Sequence, residues 1–209
     1  YPDDGYPWAV LGPCVDTGGG GGGEDPVDPQ PISIFGAWHC GDDYCTWSSE
    51  REIGEFDAKN HWLIDRSGSC EHWASEECNP SVNLVILSFV HPLQLLDGTT
   101  RTDYGGCDPC GVPIGMTQNV VDYFKNQGIR VMLSIGGITY VDPWNQALAT
   151  DEGARQLGLN AAAVAQQLGV GIEIDYEENT DPDLAGLQTF IDAYRSVHPY
   201  DPTGTNPAA

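Results

Sequence analysis

Gly169-Val170-Gly171-Ile172-Glu173-Ile174-Asp175-Tyr176-Glu177-Glu178 reads as a β-strand with two unlike faces. Successive strand side chains point to opposite sides. Ile172, Ile174 and Tyr176 share one face; Glu173, Asp175 and Glu177 share the other. Like charges at this spacing repel, and burial raises their pKa values further. A solvated strand face would account for them. The flanking sequence, however, alternates strands with helices, and strands in such folds are covered on both faces. Perturbed carboxylates cluster at functional sites, so this stretch is the first candidate.

Working upstream, Asp151–Leu168 is an Ala-rich helix with Leu157, Leu159, Ala161, Val164 and Leu168 available to pack inward. A shorter helix covers about Pro143–Ala149. Ile129–Ile135 is the third strand and ends in Gly136-Gly137. Thr117 caps a helix reaching about Gln127, and Gly128 stops it. Val82–Val90 is an almost continuous apolar run, as buried parallel strands are. His91-Pro92 ends it, and a Gly- and Cys-containing loop runs to Gly115. The first strand is Ile32–Trp38, with His39 in the loop beyond it. Downstream, Asp181-Pro182 starts a last helix with apolar Leu184, Leu187, Phe190, Ile191 and Tyr194, which Pro199 ends.

The expected class is therefore α/β with a parallel sheet and right-handed crossovers. An open doubly wound sheet and a β/α barrel both satisfy this order. Residues 39–81 are too long for an ordinary connection and read as an insertion with its own disulfides. Residues 1–31, with glycines from Gly18 to Gly23 and several Asp-Pro pairs, read as an arm or linker. The folded domain is then residues 32–209.

The 209 residues carry a formal charge of −23 with only 8 Lys+Arg, which argues against a nucleic-acid partner. No apolar run approaches a membrane span. No initiator Met or leader opens the chain, which predicts a mature or trimmed product. Seven cysteines in a chain poor in Lys and rich in Gly and Pro suit an oxidising, extracellular compartment. Cys107-Asp108-Pro109-Cys110 lies among loop glycines with no second such pair, so a small disulfide-closed loop is preferred to a redox or zinc motif. No Gly-rich phosphate fingerprint follows the first strand, and no cofactor is expected.

Barrels place their active sites at the C-terminal ends of the strands. There this sequence has Trp38, Ser134, Gly136 and Gly137, Tyr140, and the three carboxylates. Trp38 is positioned to stack on a sugar ring or to fill the core. Gly136 and Gly137 permit close backbone approach or form a tight turn.

Leu133-Ser134-Ile135-Gly136-Gly137 and Gly171-Ile172-Glu173-Ile174-Asp175-Tyr176-Glu177 together resemble the two signature strands of family 18 glycoside hydrolases, the chitinases and related endo-glycosidases. The resemblance spans about residues 32–197. It implies a β/α barrel of which this chain holds the first four units, a half barrel. It implies that Glu177 is the catalytic acid, Asp175 its neighbouring Asp, and Glu173 the counterpart of a further Asp. Val170 stands where the family has its first Asp. Trp38, Ser134, Gly136, Gly137 and Tyr140 become candidate substrate contacts.

The implied activity is a secreted hydrolase of β-linked N-acetylhexosamine polymers or glycans. Its mechanism is retaining and substrate-assisted: the 2-acetamido oxygen attacks the anomeric carbon, an exception to the two-carboxylate scheme. Repulsion between Glu177 and Asp175 keeps one proton on the pair, as an acid requires. A full barrel needs eight strands. The missing ones are expected from a C-terminal half of a longer protein or, second, from another polypeptide, and this chain alone is expected to be inactive. The competing reading is a non-catalytic carbohydrate-binding or structural subunit of an extracellular assembly. A Ca²⁺ or Mg²⁺ site fits less well, because such ions want oxygen ligands gathered around a point.

Overall fold

The computed structural model describes residues 34, 36–42, 82–99 and 109–208, all within the second of two units, residues 33–209. The expected arm (1–31), nearly all of the expected insertion, and Cys14, Cys45, Cys70, Cys78 and Cys107 lie outside the described residues. Among the described residues no complete disulfide is seen; Cys40 and Cys110 are each one half of such a bond.

Four parallel strands form one sheet: β1 (Gly36–Cys40), β2 (Leu84–Val90), β3 (Arg130–Gly136) and β4 (Gly171–Asp175). Their order in the sheet is their order in the sequence. A doubly wound sheet reverses direction at a switch point. Among the described strands there is no such reversal, so the sheet is compatible with successive units of a barrel.

The helices are α1 (Pro92–Asp97), α2 (Gln118–Asn126), α3 (Val141–Leu148), α4 (Asp151–Leu168) and α5 (Leu184–Val197). One core joins them to the sheet. Val85, Leu87 and Val90 of β2 and Val131, Leu133 and Ile135 of β3 meet Val120, Phe124, Trp144, Leu157, Ala161 and Phe190 of the helices. The period-2 alternation decides which strand residues enter that core.

Local chemistry sets the helix ends. Thr150 accepts from the Gly153 amide at the start of α4, and Gly169 closes that helix in the left-handed conformation. Lys125 donates to the Leu168 carbonyl at 2.9 Å, satisfying a carbonyl the last turn leaves open. Asn160 donates to the carbonyls of Leu95 and Leu96, doing the same for α1. Gly158 lies inside α4 because α5 crosses there; a Cβ would collide with the Phe190 carbonyl and sit 2.9 Å from Ala193 Cβ.

Several boundaries differ from the sequence reading. β1 runs to Cys40 rather than ending at Trp38, so His39 is a buried strand residue rather than a loop residue. The Pro92–Asp97 stretch is helical, with Pro92 in its first turn and the His91 imidazole accepting from Leu93 N. Asp183, not Asp181, caps α5. Thr117 flanks α2, but its hydroxyl donates backwards to the Ile114 carbonyl at 3.1 Å rather than capping. β4 stops at Asp175, and Tyr176–Glu178 already leave the sheet.

Candidate functional site

The strand register arranges the sheet face away from the helices in rows. Trp38 pairs with Ile86, Ile86 with Met132, and Met132 with Gly171. One row higher, Cys40 pairs with Ser88, Ser88 with Ser134, and Ser134 with Glu173. Above these, Gly136 pairs with Asp175. The face thus changes from apolar to polar towards the C-terminal ends of the strands. Ile172, Ile174 and Tyr176 pack against the helical core, as the alternation in the sequence requires.

Glu173 sits half-buried, and the wholly buried Ser134 hydroxyl donates to its Oε2. Burial raises the Glu173 pKa; the Ser134 hydrogen bond opposes this, and the Asp175 charge adds to it. Glu177 lies exposed beyond the strand end. Partial loss of hydration raises its pKa first, followed by the Asp175 charge and the hydrogen bond shared with that carboxyl. The Ile138 backbone amide donates to Glu177 and works against the rise. A carboxyl that holds its proton more tightly than usual, beside a second carboxyl and open to solvent, can donate that proton to a bound molecule.

Gly136 and Gly137 both adopt positive φ, 120° and 100°. A Cβ on Gly136 would fall inside the Asp175 carbonyl oxygen and the Trp144 indole nitrogen. The Gly137 amide donates to the same Asp175 carbonyl at 2.9 Å. Behind them Trp144 is fully buried, donates to the Ile135 carbonyl at 3.3 Å, and meets Tyr176 and Phe190 edge-on or tilted. The two glycines therefore let the end of β3 close against the end of β4 beneath the carboxylates.

Ser134, Gly136, Gly137, Glu173, Asp175 and Glu177 come together in this way. Trp38 shares their sheet face but lies on the far strand, one row below Glu173's row, and is 59% exposed. Tyr140 follows β3 and packs on His91, the residue that caps α1, with ring centroids 4.8 Å apart. Val170, which opens the acidic stretch, is wholly buried in the core.

Sequence reading missed the support behind the loop after β4. Tyr176 OH donates to Asn145 Oδ1 at 2.7 Å and accepts from Asp183 N at 3.0 Å. Glu178 accepts from Asn145 Nδ2 at 3.2 Å, Thr180 N at 2.7 Å and Asp181 N at 3.4 Å. These bonds, the Thr180 amide first and Asn145 second, lower the Glu178 pKa. Glu177 and Glu178 are chain neighbours with opposite shifts, so only Glu177 is suited to carry a proton.

Among the described residues no group of three or more His, Cys, Asp or Glu is disposed to hold a metal ion. No described helix is long and apolar enough to cross a membrane. Comparison with protein-family models and with curated proteins finds no match to this chain.

Proposed function

We propose that the chain is part of a secreted, chitinase-type glycoside hydrolase. It cleaves β-linked N-acetylhexosamine polymers or glycans by a retaining, substrate-assisted mechanism. The observation that carries this reading is the pairing of Glu177 with Asp175 at the C-terminal edge of a parallel sheet, with the Glu177 pKa raised. The sequential strand order supports a β/α barrel as the frame.

In this reading Glu177 donates its proton to the glycosidic oxygen. Asp175 orients the substrate's acetamido group and balances the charge that develops on it as its oxygen attacks the anomeric carbon. Glu173, held by Ser134, supports Asp175 from one row below. Water then opens the cyclic intermediate, with Glu177 as the base, and configuration is retained. The remaining strands come from a C-terminal half or a second polypeptide. A carbohydrate-binding role without turnover is the second reading, favoured by the exposed Trp38 indole on the open sheet face.

The test is hydrolysis of a fluorogenic N-acetylglucosamine oligomer by the barrel-complete protein. Turnover is expected, with a product first formed as the β-anomer. Glu177→Gln should lower kcat by about 10²–10⁴-fold. Oligomer binding without turnover by the wild type would overturn the enzymatic reading in favour of the second.

A further inference from the structure

Glu177 is the exposed residue of the candidate site, yet both of its chain neighbours are fixed by a single side chain. Asn145, half-buried on α3, reaches Tyr176 through Oδ1 and Glu178 through Nδ2. The amide orientation follows from its partners. The Tyr176 oxygen already accepts from Asp183 N, so its own hydrogen goes to an acceptor, Asn145 Oδ1. An ionised Glu178 can only accept, so it takes the NH₂. No other residue among the described hydrogen bonds bridges the positions before and after Glu177.

We propose that Asn145 is the positioning residue for Glu177: it clamps residues 176 and 178 and so holds the intervening carboxyl over Asp175 and the Ile138 amide. This rests on the functional reading above only where turnover is concerned; the clamp itself is a property of the chain. Neither Tyr176 nor Glu178 is free to substitute for it. Tyr176 is committed to Trp144 and the helical core behind it. Glu178 is committed to the turn at Thr180–Asp181. Release of Asn145 leaves the two segments without a common anchor, and Glu177 swings into solvent, away from the charge that raises its pKa.

The clamp can be rebuilt with reversed polarity by combining Asn145→Asp with Glu178→Gln. The carboxylate introduced at position 145 still accepts from Tyr176, and its second oxygen accepts from the amide introduced at position 178. That amide keeps its own carbonyl oxygen for Thr180 N. Net charge is unchanged.

The experiment follows the Glu177 carboxyl by carbon NMR through a pH titration of the 209-residue chain, assigned with Glu177→Gln. Asn145→Ala should move the Glu177 midpoint down towards that of an ordinary Glu, and the double variant should restore it. Glu178→Gln alone sets two donors against each other and should behave like Asn145→Ala, a check if the alanine variant is poorly folded. A Glu177 titration unchanged in both single variants would overturn the clamp, as would failure of a folded double variant to restore it. In the barrel-complete protein, Asn145→Ala should lower kcat about tenfold to a hundredfold with KM nearly constant. If the wild-type protein does not turn over, the catalytic reading falls, while the titration still judges the clamp.

Discussion

A histidine imidazole enclosed by apolar neighbours resists protonation, because burial disfavours the charged form. His39 is 4% exposed, lies edge-on to Phe124 with centroids 5.5 Å apart, and has its pKa lowered from 6.5 to about 4 by burial. The unfolded chain takes up this proton near the ordinary value, the folded chain only near 4. Stability from this group is therefore complete above pH 6.5, falls as the pH drops towards 4, and changes no further below that. Replacing His39 with Leu should remove about 3 kcal/mol of acid sensitivity across that window. Urea denaturation of both proteins at pH 7 and pH 4.5 measures it; equal losses of stability in the two would refute it. The sequence shows a His after an apolar run and nothing of which face it takes, because one residue of strand extension decides between loop and core.

Much of the element pattern was legible. The helix Asp151–Leu168 follows from its Ala-rich composition and apolar spacing, and β2 and β3 follow from dense apolar runs. The alternation in β4 assigned Ile172 and Ile174 to the core and Glu173 and Asp175 to the other face. What the sequence hid was long-range. β1 reaches Cys40 because that residue pairs with Ser88, and Asn145 meets Tyr176 and Glu178 only because α3 folds back beside the loop after β4. The Gly136-Gly137 pair was visible as special, but only the fold shows that the collision partners are the Asp175 carbonyl and Trp144. This gives an element-level prediction. Gly136→Ala should cost at least about 3 kcal/mol, because strain and collision add. Gly98→Ala, at φ 62° with nothing within 4 Å of a Cβ, should cost only about 1 kcal/mol. Equilibrium unfolding ranks the two; similar losses would mean that β3 and β4 can part without penalty.

The whole molecule carries a formal charge of −23 and a sequence pI near 4.1. Such an excess repels itself and opposes the compact state. Raising the salt from about 0.02 M to 0.2 M brings the screening length below about 10 Å. The melting temperature should rise by about 2–4 °C, as expected for a gain of around 1 kcal/mol in a chain of this size. Calorimetry at the two salt concentrations decides it, and an unchanged or lower melting temperature would show that local pairing outweighs the net charge. Under the proposed barrel, the same excess argues against a second copy in the role of completing strands, since that would bring two sets of carboxylates to one centre.

Each described strand pairs with the described strand before it in the chain, so each ladder waits on one chain closure, the longest between Cys40 and Leu84. Parallel pairing of this kind closes slowly, because the entropy of each closure is spent before its ladder forms. Synthesis can still lay the sheet down strand by strand, and the acidic strand has a surface to join only once β3 is in place. Of the four described strands the acidic one is made last, on a support already built to hold its carboxylates.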